Sequence, residues 1–242
     1  MLKLANISAH ISKDEKILEK VNAHFAKNSV NLILGPNAAG KTTFADVIAG
    51  NENISFKGNI IFENENIASK KPHERARKGI LLLHQNPAEI PGVKIFDFLY
   101  ASYKAVVKKD ICVWDFNDLL LENLKKLKLT EDFLQRNINE SFSGGEKKKL
   151  EILQMLILKP KVVIMDEIDS GLDIDTVKDI FKIVQEYQKE TKCTLIIISH
   201  APQILKYITP KQVLVIQDSS IKKKGDIKLA KTILKNGYKE NY

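Results

Sequence analysis

Short apolar runs alternate with longer amphipathic stretches along most of the chain. Each run is four or five residues long and rich in β-branched side chains, which predicts buried strands at 30–34, 80–84, 162–165 and 195–198. Helical spacing from about Lys41 to Ala49 predicts a helix that Gly50 ends. Strands that alternate with helices predict an α/β fold with a mainly parallel sheet.

A helical segment interrupts this alternation. Helical spacing dominates from Ile95 to about Leu158, with apolar residues recurring at Phe96, Leu99, Tyr103, Leu120, Leu124 and Leu127. We therefore predict a single domain in which an α/β core, residues 1–87 and 159–242, encloses a helical subdomain, residues 88–158. Weaker signals predict a short strand at 59–62, a hairpin turn at 217–220 and a helix from Lys228 onward.

The composition fits one large soluble domain. The chain has 242 residues, of which 44% are apolar and 28% charged. No apolar run approaches the roughly 18 residues of a membrane-spanning helix, and residues 1–6 lack a secretory apolar core. Cys112 and Cys193 are far apart and lack metal-type spacing, which predicts two reduced thiols. We expect a cytoplasmic protein with no direct membrane insertion.

The net charge of +8 raises the question of nucleic-acid binding. The lysines are scattered, with short clusters at 147–149 and 222–224, and no basic stripe is interleaved with aromatic residues. A solvated lysine-rich surface is therefore the favoured interpretation, and no nucleic-acid partner is expected. Binding to DNA or RNA stays open as an alternative that predicts strong salt dependence.

The segment between the first buried strand and its helix fits the phosphate-binding pattern G-x-x-x-x-G-K-[ST]. It consists of Gly35, Pro36, Asn37, Ala38, Ala39, Gly40, Lys41 and Thr42, to which we add Thr43 as a binding residue. Backbone N–H groups of such a loop surround a β-phosphate, and the next helix points its positive end at the phosphates. Lys41 would neutralise β- and γ-phosphate oxygens, and the Thr42 hydroxyl would ligate Mg²⁺. The alternative is a glycine-bounded turn between strand and helix without a ligand. The rarity of the full pattern, together with the strand before it and the helix after it, favours the phosphate site.

Polar side chains follow three further buried strands. Asp166 and Glu167 end the strand at 162–165, Gln85 follows the strand at 80–84, and His200 follows the strand at 195–198. Open α/β sheets bind ligands at the carboxyl ends of their strands. We predict that Asp166 and Gln85 hold Mg²⁺, that Glu167 is the general base for an attacking water, and that His200 contacts a γ-phosphate. Taken one at a time, the two acids could instead cap the next segment, and Gln85 or His200 could be structural.

A second glycine-rich helix start lies at 143–146. Ser143 and Glu146 form a capping-box pattern. Gly144 and Gly145 exceed what a helix cap needs, and they would let a phosphate approach the backbone closely. Because the first loop already supplies one phosphate site, this second helix start is predicted to contact a nucleotide bound to another chain.

These motifs, in this order, resemble those of ABC-type ATPases. The resemblance rests on the loop 35–42, Gln85, the signature 143–146, the acids 166–167, the turn 170–173 and His200. It covers essentially the whole chain and implies a RecA-like P-loop core, an N-terminal antiparallel β part and an inserted helical subdomain. It also implies hydrolysis of ATP with Mg²⁺ between two cores that meet head to tail when ATP binds. Asp173 joins the expected nucleotide-binding residues on this basis.

Several stretches resemble SufC-type ATPases of the Suf iron–sulfur cluster assembly machinery more narrowly. Glu146 stands where transporter ATPases commonly have Gln, and the segments 87–93 and 169–175 are also similar to that group. This resemblance implies SufB/SufD-like scaffold partners, which would carry the cluster ligands. The alternative is the nucleotide-binding subunit of a membrane ABC transporter, which would share every catalytic residue. The partner surface is predicted to lie at 86–100.

Two positions depart from the family pattern. No aromatic residue between 10 and 18 is available to stack on adenine, so Ile11 or Ile17 is expected to supply an apolar contact. Ile168 replaces the small polar residue that usually follows the catalytic Glu in SufC-like chains, and it is expected to alter the dimer contact.

Overall fold

The computed structural model describes residues 1–10, 16–107 and 110–238, without the side chain of Pro202. The strands are β1 (Leu2–His10), β2 (Lys16–Phe25), β3 (Val30–Leu34), β4 (Ser55–Phe62), β5 (Glu65–Asn66), β6 (Ile80–Leu83), β7 (Ile90–Lys94), β8 (Asn137–Ile138), β9 (Val162–Asp166), β10 (Thr194–Ile198), β11 (Gln212–Gln217) and β12 (Ser220–Gly225). The α-helices are α1 (Lys41–Ala49), α2 (Pro72–Arg77), α3 (Ile95–Val107), α4 (Val113–Lys126), α5 (Gly144–Leu158), α6 (Ile174–Thr191) and α7 (Ile227–Asn236).

The main sheet has the strand order β12-β11-β3-β10-β9-β6. All neighbouring strands pair in parallel except β11 and β12, which form the predicted late hairpin. Leu32 and Leu34 pack into one apolar cluster with the helical part, whereas Ile33 packs into a second cluster with α1 and the N-terminal strands. The sheet is therefore buried on both faces, as its continuous apolar runs require. The predicted α/β fold is confirmed.

The N-terminal part is an antiparallel sheet of order β2-β1-β4-β5. The predicted strand at 59–62 is only the second half of β4, because the first half has an exposed, weakly apolar pattern. Gly58 lies within β4 at φ 116°, and a Cβ there would come within 2.6 Å of the Asn6 carbonyl oxygen. Only glycine fits this close approach between neighbouring strands.

The segment between β6 and β9 contains α3, α4 and α5, as the helical spacing predicts. It also contains the small antiparallel sheet of β7 and β8, which sequence reasoning missed. Pro91 and Gly92 indicated a break, and all five residues of β7 are exposed, so no alternating pattern marked it. Within the described ranges, no helix has the length and apolar character needed to cross a membrane.

The predicted solvated surface does not hold for the whole lysine cluster at 147–149, because Lys148 is only 4% exposed. Successive residues on an α-helix are about 100° apart, so three in a row cannot all face solvent when the helix packs on a core. Lys148 is the member that faces inward.

Candidate active site

The strands β3, β6, β9 and β10 end at the same edge of the main sheet, and a cavity of about 610 Å³ opens there. Its lining includes most of the predicted site residues together with a few from the N-terminal sheet and the β11–β12 turn. The lining residues are Lys16, Ile17, Asn37, Ala38, Gly40, Lys41, Thr42, Thr43, Gln85, Glu167, Ser170, His200 and Ser219. Residues as far apart in sequence as Asn37 and His200 are thus brought together because parallel strands share one carboxyl edge.

The loop between β3 and α1 has a backbone that only certain residues fit. A Cβ on Gly35 would lie 2.2 Å from the Ile216 carbonyl oxygen, so β11 passes too close for any side chain. Gly40 has φ 94° and directly precedes α1, so its conformation turns the loop into the helix. Ala38 also adopts a left-handed conformation, at φ 61°. The loop is therefore preformed, with the N-terminus of α1 at the cavity.

Three predicted loop residues do not line the cavity. Gly35 and Ala39 are buried behind it, and Pro36 lines a separate small cavity beside Tyr238. The Gly35 N–H donates a hydrogen bond to the Tyr238 hydroxyl at 3.1 Å. This contact supports the start of the loop from behind. Sequence reasoning missed it, because no local pattern links two residues separated by 203 positions.

Lys41 is folded back against its own loop. Its Nζ donates to the carbonyl oxygens of Gly35 at 3.0 Å and Pro36 at 2.9 Å, and it lies 3.9 Å from Glu167 Oε1. Burial lowers the pKa of Lys41, and the charges of Glu167 and Asp166 oppose this shift. A buried ammonium whose hydrogen bonds both go to carbonyl oxygens is suited to a phosphate, which would replace those carbonyls with charged oxygens.

Glu167 is held at the centre of the polar groups. Its Oε2 accepts a hydrogen bond from Gln85 Nε2 at 2.7 Å, and its Oε1 lies 3.2 Å from His200 Nδ1. The Glu167 backbone has φ 45°, a conformation that costs a non-glycine residue about 1–3 kcal/mol and is found at functional sites. This turn directs the carboxylate into the cavity, where Gln85 and His200 fix its orientation.

Asp166 ends β9 and is only 3% exposed. Burial raises the pKa of its carboxyl, an effect that the nearby Thr42 hydroxyl opposes and the charges of Glu167 and Asp46 strengthen. Among the described residues, Asp166 Oδ1 and Asn139 Oδ1 are the buried side-chain atoms without a hydrogen-bond partner. Mg²⁺ prefers carboxylate and hydroxyl oxygens, so the unpaired Asp166 oxygen beside Thr42 fits this ion.

The second helix start has the predicted capping box. Ser143 Oγ accepts from the Glu146 N–H at 3.2 Å, and Glu146 Oε2 accepts from the Ser143 N–H at 2.9 Å. Apart from the adjoining residues and the helix's own backbone, a Cβ on Gly144 would lie 3.8 Å from its nearest neighbour, the Gly171 carbonyl oxygen. One on Gly145 would lie 4.0 Å from Ser143 Oγ and Thr176 Cγ2. Packing within this chain therefore does not require either glycine.

The remaining predicted positions divide between the cavity and its surroundings. Ser143, Gly144, Gly145 and Asp173 do not line the cavity, and Asp173 caps α6 by accepting from the Thr176 N–H at 2.9 Å. Ile17 lines the cavity, whereas Ile11 lies outside the described residues. Ile168 is 1% exposed within the core, so an effect on a dimer contact would have to be indirect, and the expected effect stays a prediction.

Comparison with known proteins agrees with this geometry. The sequence profile described as ABC transporter matches residues 18–170. The chain is 40% identical to the probable ATP-dependent transporter ycf16 of Trieres chinensis, over 98% of this chain and 96% of that protein. It is 36% identical to the chloroplastic ABC transporter I family member 6 of Arabidopsis thaliana, over 99% of this chain and 72% of that protein.

Solved structures share the fold. A dimeric ATP-binding cassette in a post-hydrolysis state, bound to ADP and Pi, has a TM-score of 0.82 at 20% identity, covering 94% of this chain and 99% of that one. A nucleotide-free ATP-binding cassette of an ABC transporter has a TM-score of 0.76 at 27% identity, covering 100% and 99%.

The fold and the site together define a P-loop ATPase that uses ATP and Mg²⁺. More narrowly, the chain belongs to the ABC family, since the family profile spans more than half of it and the relatives match nearly all of it.

Proposed function

We propose that this ATPase is the energy-converting subunit of a SufBCD-like iron–sulfur cluster assembly complex in the cytoplasm, working with SufB/SufD-like scaffold proteins. The observation that carries this proposal is the ion pair that Glu146 forms with Arg136. Its carboxylate contacts the Arg136 guanidinium, which lies 4.1 Å from the Phe142 ring centroid, while also closing the capping box. A Gln, the residue common in transporter ATPases at this position, could not form the ion pair.

The proposed chemistry begins with phosphate binding. Backbone N–H groups of residues 35–42 and the N-terminus of α1 surround the phosphates, and Lys41 leaves its carbonyl partners for the β- and γ-phosphate oxygens. Thr42, Asp166 and Gln85 would hold Mg²⁺, which supplies charge neutralisation on those oxygens. Phosphoryl transfer passes through a loose transition state, so positioning and charge neutralisation account for most of the catalysis.

Glu167 accepts the proton of the attacking water in this proposal. Its carboxylate is already oriented by Gln85 and His200, so little reorganisation is needed when water enters. His200, whose side chain is half-exposed at the cavity, contacts the γ-phosphate as the products ADP and phosphate form.

The second half of each site comes from another copy of the chain. Gly144 and Gly145 leave the N-terminus of α5 open although packing does not require glycine there, and Ile174 beside it is 78% exposed. An exposed large apolar residue next to an open anion-binding helix start fits a surface that another copy covers when ATP bridges the two. Ser143 and Asp173 lie at the same surface.

Mixing two inactive variants tests this composite site. Lys41→Ala removes phosphate binding but keeps the α5 N-terminus, whereas Gly145→Val blocks the α5 N-terminus but keeps the loop. A mixed dimer has one intact site, so we expect ATP hydrolysis to return on mixing, although neither folded variant is active alone. If the mixture stays inactive while both variants are folded, the head-to-tail site is wrong.

The scaffold partner is proposed to bind at 86–100. Ile90 and Val93 on β7 are 40% and 36% exposed, and they lie five and eight positions after Gln85 in the chain. A protein docked on β7 would therefore be coupled to the catalytic residues through a few residues of chain. We expect Ile90→Asp/Val93→Asp to abolish co-purification with co-expressed SufB/SufD-like proteins while basal ATP hydrolysis is retained. The control is Val113→Asp, which changes an exposed apolar residue elsewhere in the helical part.

The second candidate function is the nucleotide-binding subunit of a membrane transporter. Several relatives carry the word transporter in their names, and the catalytic residues would be identical. Co-expression separates the two: a soluble complex with stimulated ATP hydrolysis supports the scaffold proposal. Recovery of the chain only with integral membrane proteins would overturn it in favour of transport.

A further inference from the structure

Two buried charged residues of α5 hold the backbone that carries Gln85. Lys148 Nζ donates hydrogen bonds to the His84 carbonyl oxygen at 3.1 Å and to the Gln85 carbonyl oxygen. Glu151 Oε2 accepts from the His84 N–H at 2.7 Å. One turn of helix thus contacts three backbone polar groups of two consecutive residues, His84 and Gln85, at the end of β6.

The position of β6 explains why side chains are needed there. It is the edge strand of the main sheet, and its ladder with β9 ends at the pair of Leu83 and Met165. The backbone beyond Leu83 has no neighbouring strand, so its polar groups require other partners. Lys148 and Glu151 supply them from α5, in place of a further strand.

Burying the charged groups of Lys148 and Glu151 beside β6 costs folding free energy, because both lose their contact with water. Lys148 is 4% exposed and Glu151 is 5% exposed; burial lowers the pKa of Lys148 and raises the pKa of Glu151. A helix that needed only to pack would be more stable with apolar residues of similar volume at these positions. Gln154 Nε2 donates to the other Glu151 oxygen at 2.8 Å, which fixes the carboxylate further.

We propose that Lys148 and Glu151 are positioning residues for ATP hydrolysis, which hold Gln85 where its amide orients the Glu167 carboxylate. The path is continuous: α5 binds the His84–Gln85 backbone, and Gln85 Nε2 donates to Glu167 Oε2 at 2.7 Å. Neither Lys148 nor Glu151 lines the cavity, so the pair acts on the chemical step without touching the nucleotide. This inference rests on the roles proposed above for Gln85 and Glu167.

The pair also links the two halves of the composite site. α5 starts at Gly144, the surface proposed to face the nucleotide of another copy, and Lys148 lies little more than one turn further along the same helix. A shift of α5 would therefore move the Gln85 backbone with it.

The test is a double-mutant cycle on the turnover number. We expect Lys148→Met to lower kcat about tenfold to 100-fold with little change in KM, because misplacement of a group near the reacting atoms can cost on the order of 100-fold. Gln85→Ala should lower kcat as well. If Lys148 acts through Gln85, the double variant is no slower than Gln85→Ala alone.

Each outcome decides a different question. Full additivity of the two effects, or a loss confined to KM, overturns the positioning role. An unchanged kcat in Gln85→Ala instead overturns the role proposed for Gln85. Glu151→Gln keeps an acceptor for the His84 N–H and should retain more activity than Glu151→Leu; equal losses would contradict the backbone contact.

Controls separate positioning from folding. Lys149→Met removes the next lysine on α5, which is not fully buried, and should leave kcat unchanged. If Lys148→Met does not fold, Lys148→Met/Glu151→Leu replaces it, because removing both buried charges leaves neither one uncompensated. This double replacement should fold, retain ATP binding and still show the lowered kcat; wild-type kcat in that variant would overturn the proposal.

Discussion

The two glycine-rich helix starts of this protein differ in how completely the chain itself surrounds them. The start of α1 lies in a cavity with Lys41, Glu167 and His200, and Gly35 behind it has no space for a side chain. The start of α5 is open, and a Cβ on Gly145 would meet no atom closer than 4.0 Å outside the adjoining residues and the helix's own backbone. One is a nearly complete site, whereas the other lacks its counterpart within the chain.

This difference separates two reasons for a glycine. At Gly35 the backbone of β11 excludes every side chain, so the residue is needed for folding. At Gly144 and Gly145 nothing in the chain excludes a side chain, so the need must come from a ligand or partner that approaches the backbone. Substitutions at Gly35 should therefore impair the protein whether or not nucleotide is present. Substitutions at Gly144 or Gly145 should have an effect only when ATP and another copy of the chain are present.

The largest effect is expected at the complete site. Glu167→Gln should keep ATP binding and lower ATP hydrolysis by about 100- to 10,000-fold, because a general base contributes on this scale and the amide cannot accept the water's proton. Release of phosphate under saturating ATP measures the loss, and nucleotide binding by equilibrium dialysis serves as the control. Hydrolysis at the wild-type rate would remove Glu167 from the role of base.

A matched pair of alanine substitutions addresses the two glycines directly. Gly35→Ala should destabilise the protein by about 1–3 kcal/mol or more, because its Cβ cannot avoid the Ile216 carbonyl oxygen 2.2 Å away. Gly145→Ala should leave the free energy of unfolding within about 0.5 kcal/mol of wild type, since a surface change without a lost contact has little effect. Urea unfolding without nucleotide measures both, and equal losses would erase the distinction between the two helix starts.

Much of the complete site could be predicted from sequence because each of its residues is marked by the few residues next to it in the chain. The change from apolar to polar residues marks the end of each buried strand in the sequence. Because parallel strands bring these ends to one edge of the sheet, Gln85, Glu167 and His200 lie together. The open region was predicted only from an excess of glycines. Its surroundings, such as the exposed Ile174, depend on how α5 and α6 pack.

The contacts that sequence reasoning missed are polar and distant in the chain. The Tyr238 hydroxyl accepts a hydrogen bond from the Gly35 N–H, 203 residues away in the chain. Lys148, one of three successive lysines, binds the His84–Gln85 backbone. Neither has a periodic signal, because a single buried polar residue does not change the helical or strand pattern around it.

A smaller effect is expected on dimer formation. Ile174→Asp replaces an apolar side chain that is 78% exposed in the single chain, so the stability of the chain should hardly change. If another copy covers this residue, losing its burial costs about 1.5–3 kcal/mol of association, or about tenfold to 100-fold in affinity. Sedimentation of the Glu167→Gln protein with ATP, with and without Ile174→Asp, measures the change. Ile90→Asp is the control at a different exposed site, and equal dimerisation in all three proteins would place the contact elsewhere.

The smallest effect concerns the charge at Glu146, on the open side. Burial raises the pKa of Glu146, but the Ser143 N–H and the Arg136 guanidinium outweigh it and leave the pKa below its ordinary value. A carboxyl with a depressed pKa in the folded state contributes stability that is present above the unfolded pKa of about 4.3 and is lost as the pH falls through the folded pKa. Glu146→Gln keeps the capping acceptor and loses only this charge.

We therefore expect Glu146→Gln to cost about 0.5 kcal/mol or less at pH 7, because an ion pair this exposed is largely screened by solvent. The difference from wild type should shrink as the pH falls below about 4.3. Urea unfolding across this pH range measures it, with the exposed Glu186→Gln as the control. A difference that grows on acidification would mean that the Glu146 charge does not stabilise α5. The distinction from transporter ATPases would then have to come from a partner that reads the carboxylate, since nothing inside the chain would use it.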